Sequence, residues 1–326
     1  MSRAPQPSAG EPVREMRAEV RRRELLPAGR PLLVMLSGGR DSVCLLDLAV
    51  SLLGAAAVSA LHVNYGLREG AAGDERHCRD LCADYGVELS VRRPGAPTLG
   101  NLQAWARDVR YGAAAQLALE RGALVAAGHT STDQVETILY RLASSPSRRA
   151  LLGMRERDGV LVRPLLHFSR EQTAAYCTAL GLAWRDDESN DSDAYARGRV
   201  RHGLVSAMRA VHPGAEANVL AVAELLRDEA LVLESLVDEV LRGSRSVPLR
   251  TLRELPAALA RLVVARLADG ARGAPAPGVT RRLDELLLMP DLGLCHLDLP
   301  HRVRATARDG QLSFGITPRI ERDGDR

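Results

Sequence analysis

Three groups of residues in this sequence have the types and spacing for chemistry on phosphates and amines. The first is Ser37-Gly38-Gly39-Arg40-Asp41-Ser42, between the apolar run "LLVML" (32–36) and an apolar-periodic segment that reads as a helix. A glycine-rich turn from strand to helix aims free backbone N–H groups at whatever occupies the helix N-terminus, which suits phosphate without any side-chain cation. Gly38 and Gly39 permit close backbone approach, and Ser37 and Ser42 can add hydroxyl donors. Asp41 fits either an N-cap or a carboxylate that meets phosphate through Mg2+, directly or by way of water. The second group is Asp133 and Glu136, three apart at a helix start, so both carboxylates can face one ammonium. Thr130-x-x-Asp133 equally fits a capping box, and the helix dipole favours acids in a first turn. The third is Arg107 and Arg110, near one helix face and suited to forked phosphate contact, or simply two surface arginines.

Further candidates stand at predicted strand ends. His129 closes one at the edge where open α/β sheets bind ligands, and fits either a base or a hydrogen-bonded structural histidine. His62 and Asn64 end another, where the adenosine part of a nucleotide is expected. Arg197, Arg199 and Arg201, with His202, form a basic run that fits a grip on RNA phosphates or a solvated loop.

Composition removes several chemistries. All 44 positions of the Lys and Arg total are arginine, so a Schiff-base lysine and a Walker-type phosphate lysine are excluded. A net charge of +3 means that a polyanion must be met by local patches. Five scattered cysteines (Cys44, Cys78, Cys82, Cys177, Cys295) show no disulfide rhythm and no second pair for zinc. No apolar leader precedes Leu32, and the uncharged run Leu48–Val63 is too short for a membrane span. A cytoplasmic protein without a membrane partner is expected.

These residues need a scaffold. Short apolar runs at 32–36, 58–63, 87–91, 123–128 and 160–166 alternate with helical patterns. That alternation predicts an α/β fold, a twisted parallel sheet covered by helices on both faces. Residues 1–29 read as a tail and a helix with Arg14, Arg17 and Arg21 on one face, either solvated or in RNA contact. Residues 30–213 read as the catalytic domain, ending in a loop-rich stretch at 184–203. After a linker near 213–217, residues 214–326 read as a smaller, mainly helical C-terminal domain with short strand-like pieces and possible RNA contact.

S-G-G-x-D-S after a strand resembles the pyrophosphate loop of PP-loop (N-type) ATP pyrophosphatases, which have a Rossmann-like sheet. Other segments narrow the resemblance to the tRNA(Ile)-lysidine synthetases. "LHVNYGLR" (61–68) is similar to H-V-N-H-G-L-R, and "WARDVRY" (105–111) to A-R-x-x-R-Y. "AGHTSTDQVETILYRL" (127–142) resembles G-H-T-x-D-D-Q-x-E-T, and "RPLL…SREQTAAYC" (163–177) fits the next block of the pattern. "WRDDESNDSDAYARGRVRHGL" resembles W-x-x-D-x-S-N-x-x-x-x-x-x-R-N-x-x-R, and the likeness runs from Leu32 to Val219 with a weaker echo near the C-terminus.

The resemblance implies that ATP adenylates the wobble cytidine of a CAU-anticodon tRNA(Ile). Free L-lysine then joins the base, and AMP and pyrophosphate are released. It assigns Ser37, Gly38, Gly39, Asp41 and Ser42 to ATP, with His62, Asn64 and His129 also placed at the ATP site, Asp41 also to Mg2+, and Arg107 and Arg110 to positive charge at the phosphates. Asp133 and Glu136 would bind lysine. Four places depart from the pattern: Tyr65, Thr132, Gly198 and the 143–149 loop. Two rival readings remain at this level, a tRNA thiolase of the same superfamily and a non-catalytic nucleotide- or RNA-binding module. No C-x-x-C pair supports the thiolase. The sequence leaves open the tRNA(Met) discrimination, the base that deprotonates lysine, and the oligomeric state, a homodimer being one option.

Overall fold

The structure is a computed structural model and describes residues 10–95, 97, 102–145, 148–185 and 196–318. It divides into two compact units, Met1–Ala223 and Glu224–Arg326.

In the first unit, α1 (Glu11–Arg22) leads into β1 (Leu32–Met35), α2 (Arg40–Leu53), β2 (Val58–Val63), α3 (Ala71–Tyr85) and β3 (Glu88–Arg92). Next come α4 (Leu102–Arg121), β4 (Leu124–Ala126), α5 (Ser131–Ser144), α6 (Arg148–Leu151), β5 (Arg157–Asp158), β6 (Leu161–Val162) and α7 (Arg170–Ala179). The six strands pair in the order β3-β2-β1-β4-β6-β5. All neighbours are parallel except β5 with β6, an antiparallel edge absent from the sequence reading. Pro164 comes within two residues of the end of β6 and cannot donate to a ladder, so the apolar run 160–166 yields only a two-residue strand.

The central strands β1 and β4 are continuous apolar runs, and every residue of both is buried. On one face Val34 and Leu36 join Leu45, Leu48 and Cys44 of α2. On the other, Leu33 and Met35 meet Ala114, Leu117 and Ala118 of α4. β1 therefore lies between helical layers, and its successor turn is held from both sides.

The chain reverses direction of progress at β1: β2 and β3 lie to one side, β4 and β6 to the other. In open α/β sheets, ligands bind beyond the strand ends at such a switch, here those of β1 and β4.

Two local expectations change. Arg17 does not belong to a solvated or RNA-facing stripe: its Nε donates to Tyr176 Oη at 3.1 Å and its Nη2 to Asp47 Oδ2 at 3.0 Å. Val13 and Val20, four residues before and three after Arg17, share its face of α1 and are buried in the core with Met16, so Arg17 points inward. Within the loop-rich stretch, residues 186–195 lie outside the described residues, but from Ala196 the chain is helical. α8 (Ala196–Arg199) runs through a π-helical segment, Val200–Val205, into α9 (Ser206–Val211).

α10 (Ala215–Leu241) contains the division between the units, which therefore falls later than the expected linker at 213–217. The second unit adds β7 (Ser246–Pro248), α11 (Leu249–Glu254), α12 (Ala257–Arg272), α13 (Leu283–Leu287), β8 (Leu294–Leu299), β9 (Val303–Arg308) and β10 (Gln311–Ile316). The expected strand-like pieces form one antiparallel sheet, β7-β10-β9-β8, beside the helices of this unit. Val263, Val264 and Leu267 of α12 share that core with Val303, Ala305 and Leu312.

Candidate active site at the β1–β4 switch point

The turn after β1 is closed by its own serine. Ser42 Oγ accepts the Ser37 and Gly38 amides at 3.2 Å each and donates to the Gly39 carbonyl at 2.8 Å. Ser42 therefore shapes the loop, and its hydroxyl is not the free donor that residue type suggested. Gly38 has φ +87°, and a Cβ there would meet Cys78 Sγ at 3.2 Å, so only glycine fits. Gly39 is the N-cap of α2, in extended conformation and without a side-chain cap. Asp41 is consequently not the cap. The Arg40 and Asp41 amides have no acceptor among the described residues, as expected of a first helical turn.

Asp41 is instead held by α7. Its Oδ1 accepts Thr173 Oγ1 at 2.6 Å and Arg40 Nε at 3.2 Å, while Oδ2 has only Arg170 Nε at 3.9 Å. Among the described residues no group of three or more His, Cys, Asp or Glu side chains could hold a metal ion. One carboxylate with a lightly used oxygen beside open amides fits Mg2+, which is commonly bound by one or two carboxylates together with substrate phosphates and water.

The opposite wall is built on the end of β4. A Cβ on Gly128 would stand 3.0 Å from the Asp41 carbonyl oxygen and 3.3 Å from the Ser42 nitrogen, so the strand end and the first turn of α2 are in backbone contact. Beyond it α5 opens with a full capping box. Asp133 Oδ2 accepts the Thr130 amide at 2.8 Å and Thr130 Oγ1 at 2.9 Å, and Thr130 Oγ1 accepts the Asp133 amide at 3.4 Å. Asp133 serves a second purpose as well: its Oδ1 faces Arg170 Nη2 at 3.3 Å and Arg197 Nη2 at 3.1 Å. Arg170 thus spans Asp41 and Asp133, joining the phosphate turn to the acid pair.

Glu136, 1% exposed, accepts Arg197 Nε at 2.9 Å, Arg201 Nε at 2.6 Å and Arg201 Nη2 at 3.4 Å. The basic run at α8 therefore divides. Arg197 and Arg201 fold onto the acid pair, whereas Arg199 is exposed. A carboxylate offers about four acceptor positions, so Asp133 is saturated here and Glu136 nearly so. Burial alone would raise the Asp133 pKa, but Arg197 and Arg170 hold it below the usual carboxylate range.

His129 sits beside this pair. Burial, then the charges of Arg163, Arg197 and Arg110, push its pKa down to about 4 against the pull of Asp133. Its Nδ1 is closed off from solvent without a partner among the described residues. The ring is neutral at physiological pH and can accept a proton, though only as a weak base.

His62 and Asn64 stand behind the turn rather than at it. His62, 4% exposed, bonds through Nδ1 to the Leu36 carbonyl at 2.9 Å and ties β2 to the end of β1. Asn64 Nδ2 donates to Glu75 Oε2 at 2.9 Å, and its Oδ1 accepts the Gly66 amide at 2.9 Å. Asn64 lines a polar cavity of about 310 Å3 with Glu75, Arg76, Arg79 and Arg93. Donation from Asn64, then from Arg79 and Arg93, holds the Glu75 carboxyl at about 2 against the effect of burial.

Arg107 and Arg110 flank Tyr111 on α4, with guanidinium carbons 4.6 and 5.6 Å from its ring centroid. The sequence reading missed Arg170, Thr173 and Arg163. Arg170 and Thr173 open α7 behind the capping residue Ser169, a legible helix start, yet nothing local says that this start faces Asp41.

A family model described as "PP-loop domain" matches residues 14–208. The chain is 39% identical over 251 residues to a tRNA(Ile)-lysidine synthase of Salinispora arenicola, covering 72% of this chain and 74% of that protein. It is 34% identical over 316 residues to one of Thermobifida fusca, covering 92% of this chain and 97% of that protein. This chain belongs to the tRNA(Ile)-lysidine synthase family of PP-loop proteins. Among solved structures, the "U34-tRNA thiolase NcsA from Methanococcus maripaludis with its [4Fe-4S] cluster" superposes with a TM-score of 0.56 at 17% identity. That match covers 66% of this chain and 80% of the thiolase, and it shows a shared fold alone. The turn, the acid pair and the α4 arginines all lie within the span that the PP-loop model matches. No helix among the described residues is long and apolar enough to cross a membrane.

Proposed function

We propose that the protein uses ATP to adenylate the wobble cytidine of CAU-anticodon tRNA(Ile) and then joins free L-lysine to that base. The supporting observation is the contact of the two walls at Gly128, which sets a phosphate-type turn directly against a buried pair of carboxylates. In the first step the base's carbonyl oxygen attacks the α-phosphorus and pyrophosphate leaves. The amides opening α2 face the departing phosphates, and Arg107 and Arg110 add positive charge, so stabilisation is electrostatic and preorganised. Mg2+ held by Asp41 would offset phosphate charge.

In the second step the lysine ε-amine attacks the activated ring carbon and AMP leaves. Its ammonium is drawn to Asp133 and Glu136, exchanging with the half-exposed guanidinium of Arg197. The amine's ordinary pKa is about 10.4, so one proton must depart before attack. His129 is neutral and feels the charge of Asp133, so it is a candidate acceptor on this wall, although a pKa of about 4 makes it a weak one. Arg199, an exposed residue of the basic run, is assigned to tRNA phosphate.

The thiolase reading lacks support from the thiols. Burial pushes Cys78 up to about 12 and Cys82 up to about 11, the reverse of a reactive thiolate. The deciding experiment is incorporation of labelled lysine into CAU-anticodon tRNA(Ile) beside tRNA(Met), with ATP and Mg2+. Lysine-dependent labelling of tRNA(Ile) with stoichiometric AMP and pyrophosphate is the expected result. AMP release without lysine transfer to RNA would overturn the reading.

A further inference from the structure

Arg163 comes directly after β6, at the same edge of the sheet as the Ser37–Ser42 turn but with β4 between them. Strands lie about 4.8 Å apart, so two strand positions separate these places by roughly 10 Å. Arg163 is 5% exposed. Its Nη1 donates to the Arg155 carbonyl at 2.6 Å, which fixes the guanidinium in place. Its Nε is buried and meets no acceptor among the described residues.

The surroundings repeat that pattern. Arg110 Nε and the Tyr111 hydroxyl are also buried without a partner among the described residues. Arg141 Nη1 is anchored on the Gly153 carbonyl at 2.7 Å. Neither Arg107, Arg110, Arg141 nor Arg163 pairs with a carboxylate among the described residues. Burial lowers the Arg163 pKa, and the charges of Arg107 and Arg141 lower it further, although Tyr111 and the carboxylate of Asp158 act the other way. Burial, then Arg107, likewise lowers Arg141.

Buried guanidinium charge with no directly paired carboxylate is costly, and buried donors without acceptors add to that cost. An incoming anion removes both penalties together. Three idle donors from two arginines and a tyrosine suit a tetrahedral oxyanion, and guanidinium forks match phosphate oxygens in pairs. We propose that Tyr111, Arg141 and Arg163 join Arg110 in a phosphate-binding site that extends beyond the glycine-rich turn, with Arg163 as its innermost donor. The identity of the phosphate rests on the function proposed above, which brings two sources to this edge: the polyphosphate of ATP and the backbone of the tRNA.

The test uses the full chain and measures equilibrium binding of two probes without lysine, ATP with Mg2+ and a short CAU-anticodon stem-loop RNA. Arg163→Gln removes the innermost charge and weakens one probe by about tenfold or more, the scale of a charge-assisted hydrogen bond. Tyr111→Phe removes a hydroxyl that has no partner among the described residues. A purely structural tyrosine would leave melting temperature and both affinities unchanged. A phosphate donor instead weakens the same probe about threefold or more while the melting temperature holds. Loss confined to ATP assigns the site to the polyphosphate. Loss confined to RNA, with a salt slope reduced by about one, assigns it to the tRNA backbone. Wild-type affinity for both probes in Tyr111→Phe and in folded Arg163→Gln overturns the proposal, and Tyr111→Phe decides alone if Arg163→Gln does not fold. Because no lysine is present, these constants stand or fall separately from lysine ligation.

Discussion

Glu136→Gln separates the acid pair's two duties, holding the fold together and receiving an ammonium. In the structure the Glu136 carboxylate, 1% exposed, takes three guanidinium contacts at 2.6, 2.9 and 3.4 Å. Glutamine keeps the shape and one acceptor oxygen but turns an amide N–H2 toward a cation. Removing one partner of a buried ion pair costs about 3–5 kcal/mol. Here the loss is smaller, because Arg197 keeps Asp133 at 3.1 Å and its side chain is 46% exposed to water. The resulting cost is about 2–3 kcal/mol, which lowers the melting temperature by roughly 4–12 °C for a unit of this size. For catalysis, an ammonium deprived of one charged acceptor loses about 1.5–3 kcal/mol, or roughly a ten- to hundredfold rise in the KM for lysine. Adenylation of the tRNA in the absence of lysine is expected to persist, since Glu136 touches neither Asp41 nor the turn. Calorimetry and lysine titration of labelled product formation measure the two effects. An unchanged KM for lysine in the folded variant refutes the acid-pair assignment, and an unchanged melting temperature refutes the pairing energetics.

Asp41→Asn keeps an acceptor for Thr173 Oγ1 but loses the charge beside the open amides; pyrophosphate release should fall about a hundredfold or more, and near-normal release would leave Asp41 a structural acceptor. Gly128→Ala drives a Cβ to 3.0 Å from the Asp41 carbonyl, and neither backbone can yield. Adenylation is expected to drop by about tenfold or more through displaced amides, at a stability cost of about 1–3 kcal/mol; wild-type turnover would show the contact to be slack. His129 supplies a pH signature. Its pKa is lowered from 6.5 to about 4, so between those values the unfolded chain binds a proton that the folded chain refuses. Stability therefore falls as pH drops through that window, by up to roughly 3 kcal/mol. His129→Gln should flatten the slope by one proton in denaturant titrations from pH 7 to 4, and identical slopes would contradict the burial of this ring.

Much of the frame was legible because it is written locally. Apolar runs marked β1 and β4, the mostly apolar run 58–63 marked β2, and the glycine-rich turn marked the start of α2 within a residue. The capping-box alternative for Asp133 was also readable from Thr130 alone, and it proved compatible with a charged role because the two carboxylate oxygens face different partners. The readings that moved were those that needed a partner. Ser42 looked like a phosphate donor until its hydroxyl was seen closing the turn. Arg197 and Arg201 looked like a grip on RNA, and Arg17 like a solvated charge, until the chain brought acids to each of them.

The sequence by itself determined the alternation of strand and helix, the phosphate-type turn, the lack of any lysine and the family to which the chain belongs. Each of these is set by neighbours within a few residues or by composition. Only the tertiary structure decided which charges meet. Asp41 finds Thr173 and Arg170 on α7, Glu136 finds Arg197 on α8 and Arg201 just past it, and Arg163 is left among other arginines at the end of β6. Local propensity cannot specify such pairings. A side chain's partner depends on where the backbone path returns, and burial then decides whether the meeting is worth anything.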